Sequence, residues 1–125
     1  MFKKIIKNIA LSAVVLPVVI GSAVAAYPDK PIKMMIGYAP GSSTDIVGRM
    51  IANDLSLALK QPVIVENRGG AAGSLAADAV AKSTPDGYTI LFAQNGLAIN
   101  VAANPKLPFN GQKDLLPVVG VAATP

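Results

Sequence analysis

The stretch from Ile32 to Leu59 constrains the fold of this chain most. An apolar run, Ile32 to Tyr38, reads as a strand. Pro40-Gly41 turns the chain, and a helical pattern follows to about Leu59. In it Val47, Met50, Ile51, Leu55, Ala58 and Leu59 recur at spacings near three and four. Ser42 or Ser43 is the expected N-cap, with Asp45 in the first turn, where negative charge is favoured. Gln61-Pro62 ends the helix, and Val63-Ile64-Val65 predicts a short buried strand. Gly69 to Gly73 reads as a flexible loop. Ser74 then caps a second helix with Leu75, Ala76, Ala79 and Val80 apolar on it. Pro85-Asp86-Gly87 is a turn signal, and Thr89 to Ala93 a third strand. This β-α-β-α-β order implies an α/β fold, a parallel sheet with helices packed on it.

The two ends of the chain differ from this body. Lys3, Lys4 and Lys7 precede an apolar stretch, Ile9 to Ile20, broken by Ser12 and Pro17. Ala23-Val24-Ala25 has the small-x-small form of a cleavage site, so residues 1–26 read as a secretory signal peptide. A membrane anchor needs roughly 20 apolar residues, longer than this run. The mature chain, 27–125, then begins near Ala26 or Tyr27. Of 11 basic residues against 7 acidic, three lie in the leader, so the remainder is close to neutral. No basic tract points to nucleic acid. At the other end, Leu115 to Ala123 reads as a strand, and the Asn104 to Phe109 stretch carries too many prolines for a regular element. An α/β unit closing on an uncovered strand looks like a truncated piece of a longer protein.

Histidine and cysteine are both missing from the sequence. That removes Ser-His-Asp and Cys-His catalytic pairs, thiolate or imidazole metal sites and a disulfide framework. No catalytic residue, metal or cofactor is expected. The chemistry falls instead on three polar loops, Pro40 to Asp45, Asn67 to Ser74 and Gln94 to Gly96. Each follows the carboxyl end of a strand, the edge at which open parallel sheets bind ligands. The first loop opens a helix, whose free N–H groups and positive dipole end make a seat for an anion. A plain helix start would carry the same serines and aspartate for capping alone. Gly69-Gly70-Ala71-Ala72-Gly73 follows a strand and opens a helix, yet lacks the spacing of a dinucleotide fingerprint. Glu66-Asn67-Arg68 could form a binding cluster, but reads better as a charged strand end whose arginine pairs with a carboxylate, and Tyr88 as packing beside the turn.

Several ordered motifs resemble one family. They are Tyr27-Pro28-Asp29-Lys30-Pro31-Ile32, Tyr38 to Asp45 with Ile46-Val47-Gly48-Arg49, Gln61-Pro62-Val63, Glu66-Asn67-Arg68 and Gly73. Pro85-Asp86-Gly87-Tyr88-Thr89, Leu107-Pro108-Phe109, Lys113-Asp114 and Pro117-Val118 continue the series. The set resembles the Bug solute-binding proteins, extracytoplasmic receptors of tripartite tricarboxylate transporters. The resemblance implies a parallel-sheet lobe of a type II periplasmic-binding-protein, or Venus-flytrap, fold that closes on a small carboxylate. It implies a periplasmic location, membrane transporter subunits as partners, and a monomer when complete. Family members are much longer, so the second lobe is absent from this sequence. The family's loops correspond to Pro40, Gly41, Ser43, Thr44, Asp45, Gly73, Ser74, Gln94, Asn95 and Gly96 here, and Tyr38 and Ser42 complete the expected ligand-binding set. Ser42 stands where the family usually has a glycine, and Gly37 and Gly69 where prolines are common.

Two other functions remain open at the level of sequence. One is a small exported α/β enzyme using the glycine loop for a nucleotide. The other is an interaction module that presents a bound ligand to a sensor.

Overall fold

The computed structural model describes residues 27–122. The expected signal peptide lies outside the described residues. Three strands form one parallel sheet: β1 (Ile32–Ile36), β2 (Val63–Asn67) and β3 (Thr89–Phe92). Two helices join them, α1 (Ser43–Leu59) and α2 (Ser74–Ala81), and a third, α3 (Asn95–Ala103), follows β3. The order across the sheet is β2-β1-β3, so β1 is central. Ile36 stands beside Asn67 on one side and beside Phe92 on the other.

Alternation along the strands divides the core in two. Met34 and Ile36 turn to one face and meet Ala52 of α1, with Ile51, Leu55, Val63, Val65, Ile90 and Phe92 around them. On a second cluster, Ala77 of α2, Leu97 of α3 and Phe109 close together with Leu91, Val101 and Leu115. Strand β1 is the most buried element, with Ile32, Met34, Met35 and Ile36 all nearly out of solvent. Its one exposed residue, Lys33, pairs with Glu66 at 3.1 Å.

Helix α1 starts at the Ser42 N-cap, whose hydroxyl accepts from the Asp45 amide at 3.2 Å. It stops where Lys60 enters the left-handed region (φ 53°), just ahead of Pro62. Gly48 lets it lie close on the sheet. A Cβ there would fall 2.5 Å from Ile36 Cδ1 and 3.1 Å from Phe92 Cδ1.

The structure corrects five expectations. Gln94-Asn95-Gly96 is no loop: Gln94 is the N-cap of α3, and Asn95 and Gly96 are its first residues. Asn95, Gly96, Ile99, Asn100 and Val101 are indifferent or poor helix formers, and the segment is held by Leu97 in the core. Leu115 to Ala122 has no regular structure, with Leu116 and Val118 more than four-fifths exposed. Apolar composition does not by itself provide a pairing edge, and Pro117 has no N–H to give. Strand β2 is an edge strand, and Ile64 is exposed on it. Residues Ala71–Gly73 form a 3₁₀ turn inside the expected flexible loop. Finally, Gly73 caps α2 and Ser74 is its first residue; Ala76 and Ala77 are buried while Leu75 is exposed.

At the amino ends of the strands the Pro85–Gly87 turn meets the start of the body. Tyr27 donates to the Gly87 carbonyl at 2.7 Å and packs edge-on against Tyr88. Tyr88 hydrogen-bonds Asp29, which pushes its phenol pKa up, and Lys30 lies 4.2 Å above its ring. Tyr88 is thus packing beside the turn, as its sequence context suggests.

The Gly48 approach is open to direct test. Gly48→Ala should be nearly neutral, because a helix-propensity gain of about 1 kcal/mol offsets contact with a movable methyl. Gly48→Leu should destabilise by about 1–3 kcal/mol through overpacking. Urea unfolding followed by circular dichroism measures both, and equal stability of the two variants would contradict the packing.

Candidate functional site

The three loops meet at the carboxyl edge of the sheet, and side chains fasten each to the next. Thr44 Oγ1 donates to Gln94 Oε1 at 3.3 Å, tying the first loop to the third. Asn100 Nδ2, on the helix α3 that the third loop opens, donates to the Ala71 carbonyl and to Ser74 Oγ, at 3.0 and 2.6 Å, tying α3 to the second loop. Asn67 Nδ2 donates to the Tyr38 carbonyl at 3.1 Å, tying the second to the first. The Ser74 hydroxyl is thereby a tie between helices, not a cap.

The backbones also approach closely. A Cβ on Gly37 would fall 2.6 Å from Gly73 Cα, so this crossing requires glycine. Tyr38 lies between Gly73 and Gly96: a Cβ on Gly96 would sit 3.0 Å from its hydroxyl oxygen. Ala71 and Ala72, at φ 48° and 53°, occupy the left-handed region between Gly70 and Gly73. Such a conformation costs an alanine roughly 1–2 kcal/mol, and it is maintained beside the crevice.

The first loop is closed on itself. Ser42 N–H donates to the Ala39 carbonyl, and Gly41 N–H to Asp45 Oδ2 at 2.8 Å. The Asp45 amide is taken by Ser42 Oγ. A helix start leaves its first N–H groups without intrahelical partners. Here those of Ser43 and Thr44 are the two left open among the described residues. Ser43, Pro40 and Gly41 are exposed beside them, while Thr44 is buried and Ser42 partly so. Gln94 and Asn95 are exposed, Gly96 partly buried, and Gly73 and Ser74 buried.

Asp45 is only 3% exposed and its carboxylate is fully engaged. Arg49 Nε donates to both oxygens at 3.0–3.1 Å, Gly41 N–H to Oδ2, and Asn67 Nδ2 to Oδ1 at 2.7 Å. Arg49 Nη2 donates to Asn67 Oδ1 at 2.9 Å, closing a ring of three side chains. The Arg49 guanidinium first, then the Gly41 and Asn67 amides, hold the Asp45 carboxyl at about 2 instead of 3.8, against the opposing effect of burial.

Sequence reasoning gave no site role to Arg49 and Asn100, and it placed Asn67 in the second loop without its partners. Arg49 could have been read from its i+4 spacing to Asp45 on a helix. The other two act across distant chain and carry no local signal. Arg68 behaves as expected of a charged strand end, 3.5 Å from Glu66.

The parallel α/β sheet thus gathers three polar loops, with the open N–H groups of Ser43 and Thr44, at its carboxyl edge. The description "Tripartite tricarboxylate transporter family receptor" matches residues 47–125, and the chain belongs to that family. Protein BugT of Bordetella pertussis is 43% identical over 101 residues, covering 79% of this chain and 31% of its own length. Among solved structures, the periplasmic binding protein BugD aligns with a TM-score of 0.50 at 43% identity, over 52% of this chain and 22% of its own. MatC from Rhodopseudomonas palustris, solved with bound malate, aligns with a TM-score of 0.60 at 37% identity, over 70% of this chain and 30% of its own. The chain spans about a third of the length of the curated relatives it matches. Its fold is therefore a short parallel-sheet part of a periplasmic binding protein.

The depressed Asp45 pKa has a signed consequence. Its contribution to stability is complete above the ordinary value of 3.8 and is lost as pH falls through about 2. The stability gap between the chain and its Asp45→Asn variant should hold from neutral pH to about 4 and narrow toward pH 2. Thermal unfolding across that range measures it, and a gap that does not change with pH would contradict the pairing.

Proposed function

We propose that this chain is the amino-terminal lobe part of a periplasmic solute-binding receptor for small carboxylates, serving the membrane subunits of a tripartite transporter. The observation that carries this reading is the open first turn of α1. Two free N–H groups, at Ser43 and Thr44, stand beside exposed loop residues while the neighbouring guanidinium is committed to Asp45. Neutral donors at a positive helix end suit a carboxylate. The malate bound in MatC supports that ligand class. Tyr38, Pro40, Gly41, Ser42, Ser43 and Thr44 would form one wall with Gly73, Ser74 and Gln94 to Gly96, and Asp45 would act from behind. The receptor family and the absence of histidine and cysteine support a binding protein and not an enzyme.

Two experiments test this. In a chimera joining this chain to the remaining two thirds of MatC, calorimetry should detect malate binding, with the diamide of malate much weaker. Each charge-assisted hydrogen bond lost should cost on the order of 1.5–3 kcal/mol. Ser43→Ala with Thr44→Ala leaves the Ser42 cap in place and should weaken malate by the loss of their hydroxyls, with circular dichroism unchanged. Equal binding of malate and its diamide would overturn the assignment, whereas equal binding of parent and double variant would leave the seat to the backbone N–H groups alone.

Export is tested separately. Mass spectrometry of periplasmic extract should find an amino terminus at Ala26 or Tyr27, matching the small-x-small site at Ala23-Val24-Ala25. Recovery only from membranes with residues 1–26 retained would count against it.

A further inference from the structure

The Asn67 side chain spends both amide donors on the back of the first loop. Its amide nitrogen donates to the Tyr38 carbonyl, ahead of Pro40-Gly41, and to Asp45 Oδ1, beyond them. One planar group thus grips the loop at both ends. Its amide oxygen accepts from Arg49 Nη2 at 2.9 Å, while Arg49 Nε stays on Asp45. Sheet order decides where this happens. Asn67 is the last residue of β2 and stands beside Ile36, whereas Gln94 and Thr44 meet on the β3 side of the same residue. The guanidinium and the carboxylate are therefore drawn to the flank away from the Thr44–Gln94 contact.

We propose that Asn67 is a positioning residue, which fixes the first loop from behind and holds the Arg49–Asp45 pair off the ligand seat. Through Asp45 it acts on Gly41, whose N–H donates to the same carboxylate at 2.8 Å. Asparagine suits this place because the site needs donors toward Tyr38 and Asp45 and an acceptor toward Arg49. Aspartate would keep the acceptor, lose the donors, and set a second negative charge 2.7 Å from Asp45 Oδ1. Alanine would leave the Arg49 fork half-satisfied and free to swing. The role in ligand binding rests on the carboxylate-receptor reading above; the role in loop geometry does not.

The test therefore has two arms. In this chain, carboxyl-carbon NMR follows the Asp45 titration and hydrogen exchange follows the Gly41 amide. Asn67→Ala should raise the Asp45 pKa measurably, and Asn67→Asp further, because a like charge now faces it. Gly41 exchange should quicken at least about tenfold relative to the core amides of β1. Val65→Ala, which loosens the same strand from within the core, should lower the thermal midpoint yet leave the Asp45 titration in place. In the MatC chimera, both Asn67 variants should weaken malate at least about tenfold, the equivalent of about one lost hydrogen bond.

An Asp45 titration still at about 2 in both Asn67 variants, with Gly41 exchange unchanged, would overturn the proposal. So would malate binding as tight in the variants as in a parent chimera that binds. If the parent chimera does not bind malate, the receptor reading fails, and the Asp45 and Gly41 measurements still decide the role of Asn67. Where Asn67→Ala does not fold, the near-isosteric Asn67→Asp carries both arms.

Discussion

Strand β1 is paired along both edges, with β2 through Ile32–Ile36 and with β3 through Lys33–Ile36. This double pairing sets the arrangement of the whole carboxyl edge. It sends the chain leaving Ile36 up between two neighbours, so the Tyr38 loop must share its space with the Gly73 turn and the Gln94 helix start. The crowding explains why glycine stands at 37, while Gly73 opposite it is favoured by its left-handed backbone at φ 89°. It also explains why β1 carries almost no polar residue, since both faces are covered by helices or loops. With α1 lying on Gly48, the helix start is fixed relative to the sheet within the size of one methyl group.

Charge is arranged with similar economy. A buried carboxylate is expensive unless it is paired and hydrogen-bonded. Asp45 has a guanidinium and two amides, which exhausts its needs and those of Arg49 on that side. The uncharged polar groups at this edge are then two backbone N–H groups, hydroxyls and the Gln94 amide. Dipoles fixed by packing need little reorganisation to meet an incoming anion, whereas a mobile surface cation would have to be ordered first.

The sequence was legible where a signal was both periodic and punctuated. Helix α1 had its apolar spacing, its serine cap and its Pro62 stop, and its bounds lie where those marks predict. The three strands were likewise bracketed by glycine or proline. Helix α3 was not legible, because Asn95, Gly96 and Asn100 read as loop and only burial of Leu97 gives the segment a reason to coil. The Leu115–Ala122 stretch misled in the opposite direction, since apolar composition records a need for cover and says nothing of a hydrogen-bonding neighbour. The edge position of Val63-Ile64-Val65 was hidden for a related reason: strand order depends on crossovers, not on the strand's own residues. The loops of the candidate site were visible as turns, but the ties among them were not. Thr44 to Gln94 and Ser74 to Asn100 join residues 50 and 26 positions apart, and nothing local announces such pairs.

The aromatic clasp of Tyr27 and Tyr88 sits at the amino ends of β1 and β3, while the polar loops gather at their carboxyl ends. All three strands run the same way, and five residues of strand rise about 16 Å. The molecule therefore has two poles. A label placed at Tyr27 itself thus sits at the end of the sheet away from the polar loops.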